Sequence, residues 1–253
     1  MNAVNILPLD SEEKISAMIR VPAEADGEYL CMVTRKGIIK RTLLDAYKNI
    51  RKNGVIAINL DEDDELAWVK LTYGDDDLLV ATRNGFSIRF NENDARPIGR
   101  TARGVKAIEL REDDEVVGMD VVTDEDFVLT VTETGYGRRS PGDEYRAQSR
   151  GGKGVTNYKT EKYGKVAALM NVKEDEDIIL ISSSGVIIRM PSDSISLFSR
   201  TSKGVRVMRV GEGDSLVTAT TAEREEESAQ AQDEEATQEN NETKEETTQE
   251  TNE

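Results

Sequence analysis

Arg100, Arg150 and Arg200 lie 50 residues apart, and each is followed three residues later by a second cation, Arg103, Lys153 or Lys203. Gly104-Val105, Gly154-Val155 and Gly204-Val205 come next, and Gly54-Val55 extends the series back by another 50, with Arg51 and Lys52 supplying its charge. A second cationic position recurs upstream, at Lys40-Arg41, Arg89, Arg138-Arg139 and Arg189. Cations at fixed spacing suit a polyphosphate backbone, where each neutralised phosphate releases counterions and no base need be read. Glycines beside them let backbone amides approach a phosphate. The densest stretch is Gln148-Ser149-Arg150-Gly151-Gly152-Lys153-Gly154, preceded by Arg146. One Arg–Lys pair alone would be an ordinary solvated surface feature. Fourfold recurrence sets these apart.

Other chemistry finds little support. The chain has no histidine, which removes the commonest general base and metal ligand together. Cys31 is the single cysteine, so no intrachain disulfide and no cysteine-cluster zinc site can form. Asp61-Glu62-Asp63-Asp64-Glu65 lacks the spacing of a calcium loop and reads as a solvated turn. Paired carboxylates abound among 50 acids and single out no hydrolase site. No catalytic residue, metal ligand or cofactor site is expected. Aromatics are 5% of residues and Trp68 stands alone, which argues against base stacking on single strands. Duplex DNA bent around a curved basic rim is the expected partner. A propeller that scaffolds protein partners, using its charge bands for docking, is the alternative from another class.

The elements that must carry these cations repeat too. Hairpin glycines Gly37, Gly85, Gly135 and Gly185 are 48, 50 and 50 apart, between runs rich in β-branched and aromatic residues. Four strands per unit are expected, in units of roughly 10–60, 61–110, 111–165 and 166–210. The first unit would include Ile15–Val21 and Gly54–Leu60. Val4–Leu9 and Leu216–Ala219 match single strands of partial units at the two ends. The fold class is therefore all-β, a propeller-like array of four-stranded blades over 1–222.

Of the net charge of −17, residues 223–253 contribute −11, from 13 acids against Arg224 and Lys244. That segment has no apolar periodicity and is expected to stay disordered. It would act either as a solubilising tail or as a competitor for the basic loops. Apolar runs fall short of a membrane span and Met1–Arg20 lacks the plan of a signal peptide, so a cytoplasmic location is expected.

The 50-residue unit, with Gly135-Tyr136-Gly137-Arg138-Arg139 and Glu144-Tyr145-Arg146 leading into Gln148–Gly154, resembles the C-terminal domain of DNA gyrase A. The resemblance runs from Val4 to about Thr221. It implies a β-pinwheel, a six-bladed propeller variant with strands exchanged between neighbouring blades, of which this chain looks like the last four. It also implies DNA wrapped on the basic perimeter, directing ATP-dependent negative supercoiling. The cleavage-reunion part of gyrase A and the ATPase gyrase B would be partners in the bacterial nucleoid, and the chain itself would be non-catalytic. The family's box reads Gln-Arg-Arg-Gly-Gly-Lys-Gly; Ser149 stands in place of its first arginine, so Gln148–Gly154 is a degenerate copy. The corresponding domain of topoisomerase IV is the nearest rival within this class.

Overall fold

The structure, a computed structural model, describes residues 15–22, 28–49 and 54–224. Val4–Leu9, Arg51, Lys52 and the acidic segment from residue 225 lie outside the described residues.

Four small antiparallel sheets carry the fold, and each is built on a β-hairpin. The hairpins are β1 (Tyr29–Thr34) with β2 (Ile38–Leu43), β4 (Asp77–Thr82) with β5 (Phe86–Asn91), β8 (Phe127–Thr132) with β9 (Tyr136–Pro141), and β12 (Glu176–Ser182) with β13 (Ile187–Pro191). Gly37, Gly85, Gly135 and Gly185 turn them at φ of +76 to +84°, where an L side chain would be strained.

The flanking strands come from later units. An inner strand pairs with the first hairpin strand: β3 (Leu66–Thr72) on β1, β7 (Val116–Val121) on β4, β11 (Val166–Val172) on β8, and β15 (Leu216–Glu223) on β12. A short outer strand pairs with the second hairpin strand: β6 (Val105–Lys106) on β2, β10 (Val155–Thr156) on β5, and β14 (Val205–Arg206) on β9. Among the described residues, blades 1 to 3 thus have four strands and blade 4 has three.

This arrangement corrects the expected units. A blade is not contiguous in sequence, because its outer strand skips one intervening outer-type segment. Ile15–Val21 and Gly54–Leu60 have the patterns of an inner and an outer strand but are not strands. The hairpin they would flank is not among the described residues. Leu216–Glu223 is the inner strand of blade 4, so Glu223 and Arg224, read from the sequence as the head of the tail, belong to the fold. Arg224 is ion-paired with Asp193 (3.0 Å) and Asp177 (3.5 Å).

Burial couples neighbouring blades. One core cluster joins Val33 and Ile39 of blade 1 to Leu78, Val80, Ile88 and Phe90 of blade 2, with Ala107 and Ile108 wedged among them. Another joins Leu129 and Val131 of blade 3 to Ile178 and Leu180 of blade 4, with Val207 and Met208 in the same place. Each such fully buried aliphatic side chain contributes about 1.5–3 kcal/mol. The inner strands line a central cavity of about 830 Å³. Along its wall, between neighbouring blades, Lys70 pairs with Asp120 (2.7 Å) and Arg83 with Glu133 (2.6 Å).

The acidic runs build turns. Asp64, Asp114 and Asp214, at one repeat position, accept the N–H of Lys36 (3.0 Å), Asn84 (2.8 Å) and Ser184 (2.9 Å) at the hairpin tips. Hydrogen bonds from the hydroxyls of Ser183, Ser184 and Ser182 hold the Asp214 carboxyl well below the usual range.

Candidate functional site

The two cationic positions of the repeat part company in the structure. Arg41, Arg89 and Arg139 lie on the second hairpin strands and are 2%, 8% and 4% exposed. Each reaches into the turn after the hairpin of the following blade. Arg41 pairs with Glu92 (2.7 Å) and donates to Asn93 Oδ1 (2.8 Å). Arg89 pairs with Asp77 (2.9 Å) and Asp124 (2.6 Å) and donates to the carbonyls of Gly142 and Tyr145. Arg139 donates to the carbonyls of Ile195 (2.6 Å) and Asp193 (3.3 Å). Arg189 of blade 4 is exposed, and bonds Asp177 (2.8 Å) and the Glu223 carbonyl (2.7 Å).

Lys40 and Arg138 occupy the preceding repeat position and are fully buried. Lys40 Nζ donates to the carbonyls of Ala57 (2.5 Å) and Arg100. Arg138 donates to the carbonyls of Ser199 (3.1 Å), Asn157 (2.6 Å) and Arg200, and lies 4.5 Å from the centre of the Tyr158 ring. Burial pulls the Lys40 ammonium down to about 8 and lowers Arg138 as well. The sequence reading put Lys40, Arg41, Arg89, Arg138 and Arg139 on a phosphate-facing band. They are instead buried and bonded within the chain. Adjacent strand residues face opposite sides, so Lys40-Arg41 and Arg138-Arg139 each fill both faces of a covered strand.

The loop cations divide further. Arg100, Arg150 and Arg200 are half-buried and tie their loops down. Arg100 donates to the Ile56 carbonyl (3.0 Å), Arg150 to those of Lys106 (3.0 Å) and Asp94 (2.8 Å), and Arg200 to that of Glu144 (3.1 Å). The Gln148–Gly154 loop also zips onto its neighbours through backbone. Gln148 N–H donates to Arg89 O (2.9 Å), Gly151 N–H donates to Ala107 O (2.6 Å), and Gly152 O accepts from Glu109 N–H (2.9 Å). Gly154 is fixed by close approach, since a methyl there would overlap the Ser87 carbonyl. These glycines serve contact with protein backbone, which removes the need to explain them by phosphate.

The cations left exposed are Arg103, Lys153 and Lys203, joined by Arg146. The structure adds residues that the sequence reading missed. Arg96, Lys106, Lys159, Arg206 and Arg209 are exposed on the same segments. Each outer strand of blades 1 to 3 is therefore accompanied by three exposed cations: Arg96, Arg103 and Lys106; Arg146, Lys153 and Lys159; Lys203, Arg206 and Arg209. Lys106 and Arg206 fall one residue after the Gly-Val pair, a recurrence that the spacing already contained. Arg103 bonds Asp61, while Lys203 and Arg206 sit 4.0 and 5.2 Å from the centre of the Tyr136 ring. Hydrogen bonds from Arg206 and Lys203 lower the Tyr136 hydroxyl. Among the described residues no cluster of histidine, cysteine, aspartate and glutamate could hold a metal ion. No helix among them is long and apolar enough to cross a membrane.

An array of hairpin blades with exchanged strands defines a β-propeller class. The sequence pattern of the family "DNA gyrase C-terminal domain, beta-propeller" matches residues 28–72, 76–123, 126–173 and 176–223, and the chain belongs to that family. The DNA gyrase A protein of Clostridium acetobutylicum is 54% identical over 101 residues, covering 40% of this chain and 12% of that protein. The gyrase A protein of Halalkalibacterium halodurans is 46% identical over 99 residues, covering 39% and 12%. The matched stretch thus spans about an eighth of these relatives. A solved C-terminal domain of DNA topoisomerase IV superposes with a TM-score of 0.81 at 26% identity, covering 88% of this chain and 70% of that one. A solved C-terminal domain of DNA gyrase A gives 0.77 at 27% identity, covering 87% and 74%.

Proposed function

We propose that the chain binds and wraps duplex DNA, without reading its sequence, along the outer strands of blades 1 to 3, as the C-terminal domain of a DNA gyrase A protein. The observation that carries this reading is the recurrence of three exposed cations beside each of β6, β10 and β14, while the hairpin cations Lys40, Arg41, Arg89, Arg138 and Arg139 are bonded inside the protein. Arg103, Lys153 and Lys203 recur at 50-residue intervals, and two further exposed cations at varying positions accompany each of them, so a phosphate backbone following the array meets a fresh set at each blade. In the whole enzyme this part is non-catalytic. It feeds DNA to the cleavage-reunion part of gyrase A while gyrase B hydrolyses ATP, in the bacterial nucleoid.

Ligation of nicked circular plasmid in the presence of the chain, followed by topoisomer analysis at several salt concentrations, tests the reading. A salt-sensitive shift of linking number toward positive values is expected. Absence of both shift and binding would overturn it. Binding without a shift would favour DNA contact without wrapping, and would leave the topoisomerase IV relationship as the better guide.

A further inference from the structure

One joint between blades reverses the charge of its loop. The five residues ahead of each inner strand hold one repeat position: 61–65 before β3, 111–115 before β7, 161–165 before β11 and 211–215 before β15. Glu62, Glu112 and Glu212 are the second residues of three of these runs. Lys162 takes that place in 161–165, and Lys165 takes the place of Glu65 and Glu115. With Lys159 just ahead, the loop sets three exposed lysines against Glu161.

The reversal gives up a structural bond. Asp64, Asp114 and Asp214 each accept the N–H of a hairpin tip, whereas the residue at their place here is Gly164. The loop folds instead as one helical turn, Thr160–Tyr163, and Gly164 follows at φ +86°. Two other bonds pin it across the joint. The Thr134 hydroxyl at the tip of blade 3 donates to the Tyr163 carbonyl (2.6 Å), and Lys165 Nζ donates to Asn84 Oδ1 at the tip of blade 2. The Tyr163 ring centre lies 5.8 Å from the Lys203 ammonium, which packs 4.0 Å from that of Tyr136, within cation–π reach. The loop therefore joins the exposed cations of β10, which end at Lys159, to those of β14, which begin at Lys203.

We infer that the 159–165 loop is a further contact for the phosphate backbone of duplex DNA, holding it where the path passes from blade 2 to blade 3. The inference rests on the DNA reading above and makes the grip uneven along the array. At the joint from blade 1 to blade 2, a phosphate meets exposed Glu112 and Asp113, and Arg111 is turned over the Phe86 ring (3.1 Å). At the joint from blade 3 to blade 4 it meets exposed Glu212. Like charges repel at those two places, while Lys162 attracts at the one between them.

The test uses the full chain and a duplex long enough to span the blades. Lys162→Cys, Lys153→Cys and Glu112→Cys chains, each labelled with a benzophenone maleimide, are mixed with it and irradiated; Cys31 is buried and should stay unlabelled. DNA should cross-link at 162 as it does at 153, and far less at 112. Lys162→Ala should also shrink the slope of log affinity against log salt by about 0.9, the share of one phosphate contact. Cross-linking at 153 but not at 162 would overturn this inference and leave the DNA reading standing. Equal cross-linking at 162 and 112 would overturn it too, since the reversed charge would then carry no preference. Cross-linking at none of the three positions would overturn both.

Discussion

The loops entering blade 2 and blade 3 meet the same demand in two ways. The carbonyls of Ala57, Ala107 and Asn157 occupy one repeat position, and each lies beside an incoming loop. At blade 3, buried Arg138 bridges Asn157 O to Arg200 O, and at blade 1 Lys40 does the same between Ala57 O and Arg100 O. At blade 2 the equivalent residue is Ile88, and no cation fills the gap. There Gly151, at φ +79°, brings its own N–H to Ala107 O. A buried cation and a left-handed glycine are therefore two solutions to one joint. Residues that look most like phosphate ligands in the sequence, Lys40, Arg138 and Gly151, hold the blades together.

The largest effect is expected where a joint contains a fully buried ion pair. Arg41→Ala would leave Glu92 buried without its partner and cost about 3–5 kcal/mol, read by chemical denaturation. A loss below ~1 kcal/mol, the scale of an exposed pair, would mean that the joint is solvated and not a pin.

Close approach comes next. Gly204 and Gly185 have similar positive φ, but a methyl on Gly204 would overlap the Gly137 carbonyl, while Gly185 is open. Gly185→Ala should cost about 1–2 kcal/mol from the left-handed backbone alone. Gly204→Ala should cost clearly more. Equal losses would show that the backbone angle alone selects glycine at both sites.

A smaller effect sharpens the comparison of joints. Gly151→Thr, which installs the residue found at positions 101 and 201, should lose about 1–2 kcal/mol through one hydrogen bond and backbone strain. Adding Ile88→Lys should recover part of that loss by rebuilding the cation bridge. Strictly additive losses would contradict the interchange.

The smallest effect is a pH dependence. Burial lowers Lys40 to about 8, from an ordinary value of 10.5. Between those values the unfolded chain holds the proton more tightly, so folding gains stability as pH rises through the window. Lys40→Met removes this contribution. The stability difference should therefore move in favour of the unaltered chain between pH 8 and 10.5, and a difference that stays flat would place the ammonium in water.

Much of this architecture was legible. Glycine spacing located every hairpin, and the 50-residue period fixed the number of blades. Strand exchange was not legible from spacing, because a periodic sequence reads identically whether an outer strand pairs with its own unit or another. The tail boundary slipped by two residues because Glu223 and Arg224 match the tail in composition, while their place is set by pairing with β12 and by Asp177 and Asp193. The division of the cations had a signal that went unused. Two consecutive cations within a strand covered on both faces cannot both face solvent, whereas Lys106 and Arg206 follow a Gly-Val pair on an edge strand.

The salt dependence of duplex DNA binding tests the central claim most directly: loop cations grip DNA and strand cations hold blades. The slope of log affinity against log salt should shrink by about 0.9 for each exposed cation removed, as in Lys153→Ala or Lys203→Ala, since each contact releases a fixed share of counterions. Lys40→Met should leave the slope unchanged. A slope that falls with Lys40→Met but not with Lys153→Ala or Lys203→Ala would contradict the account.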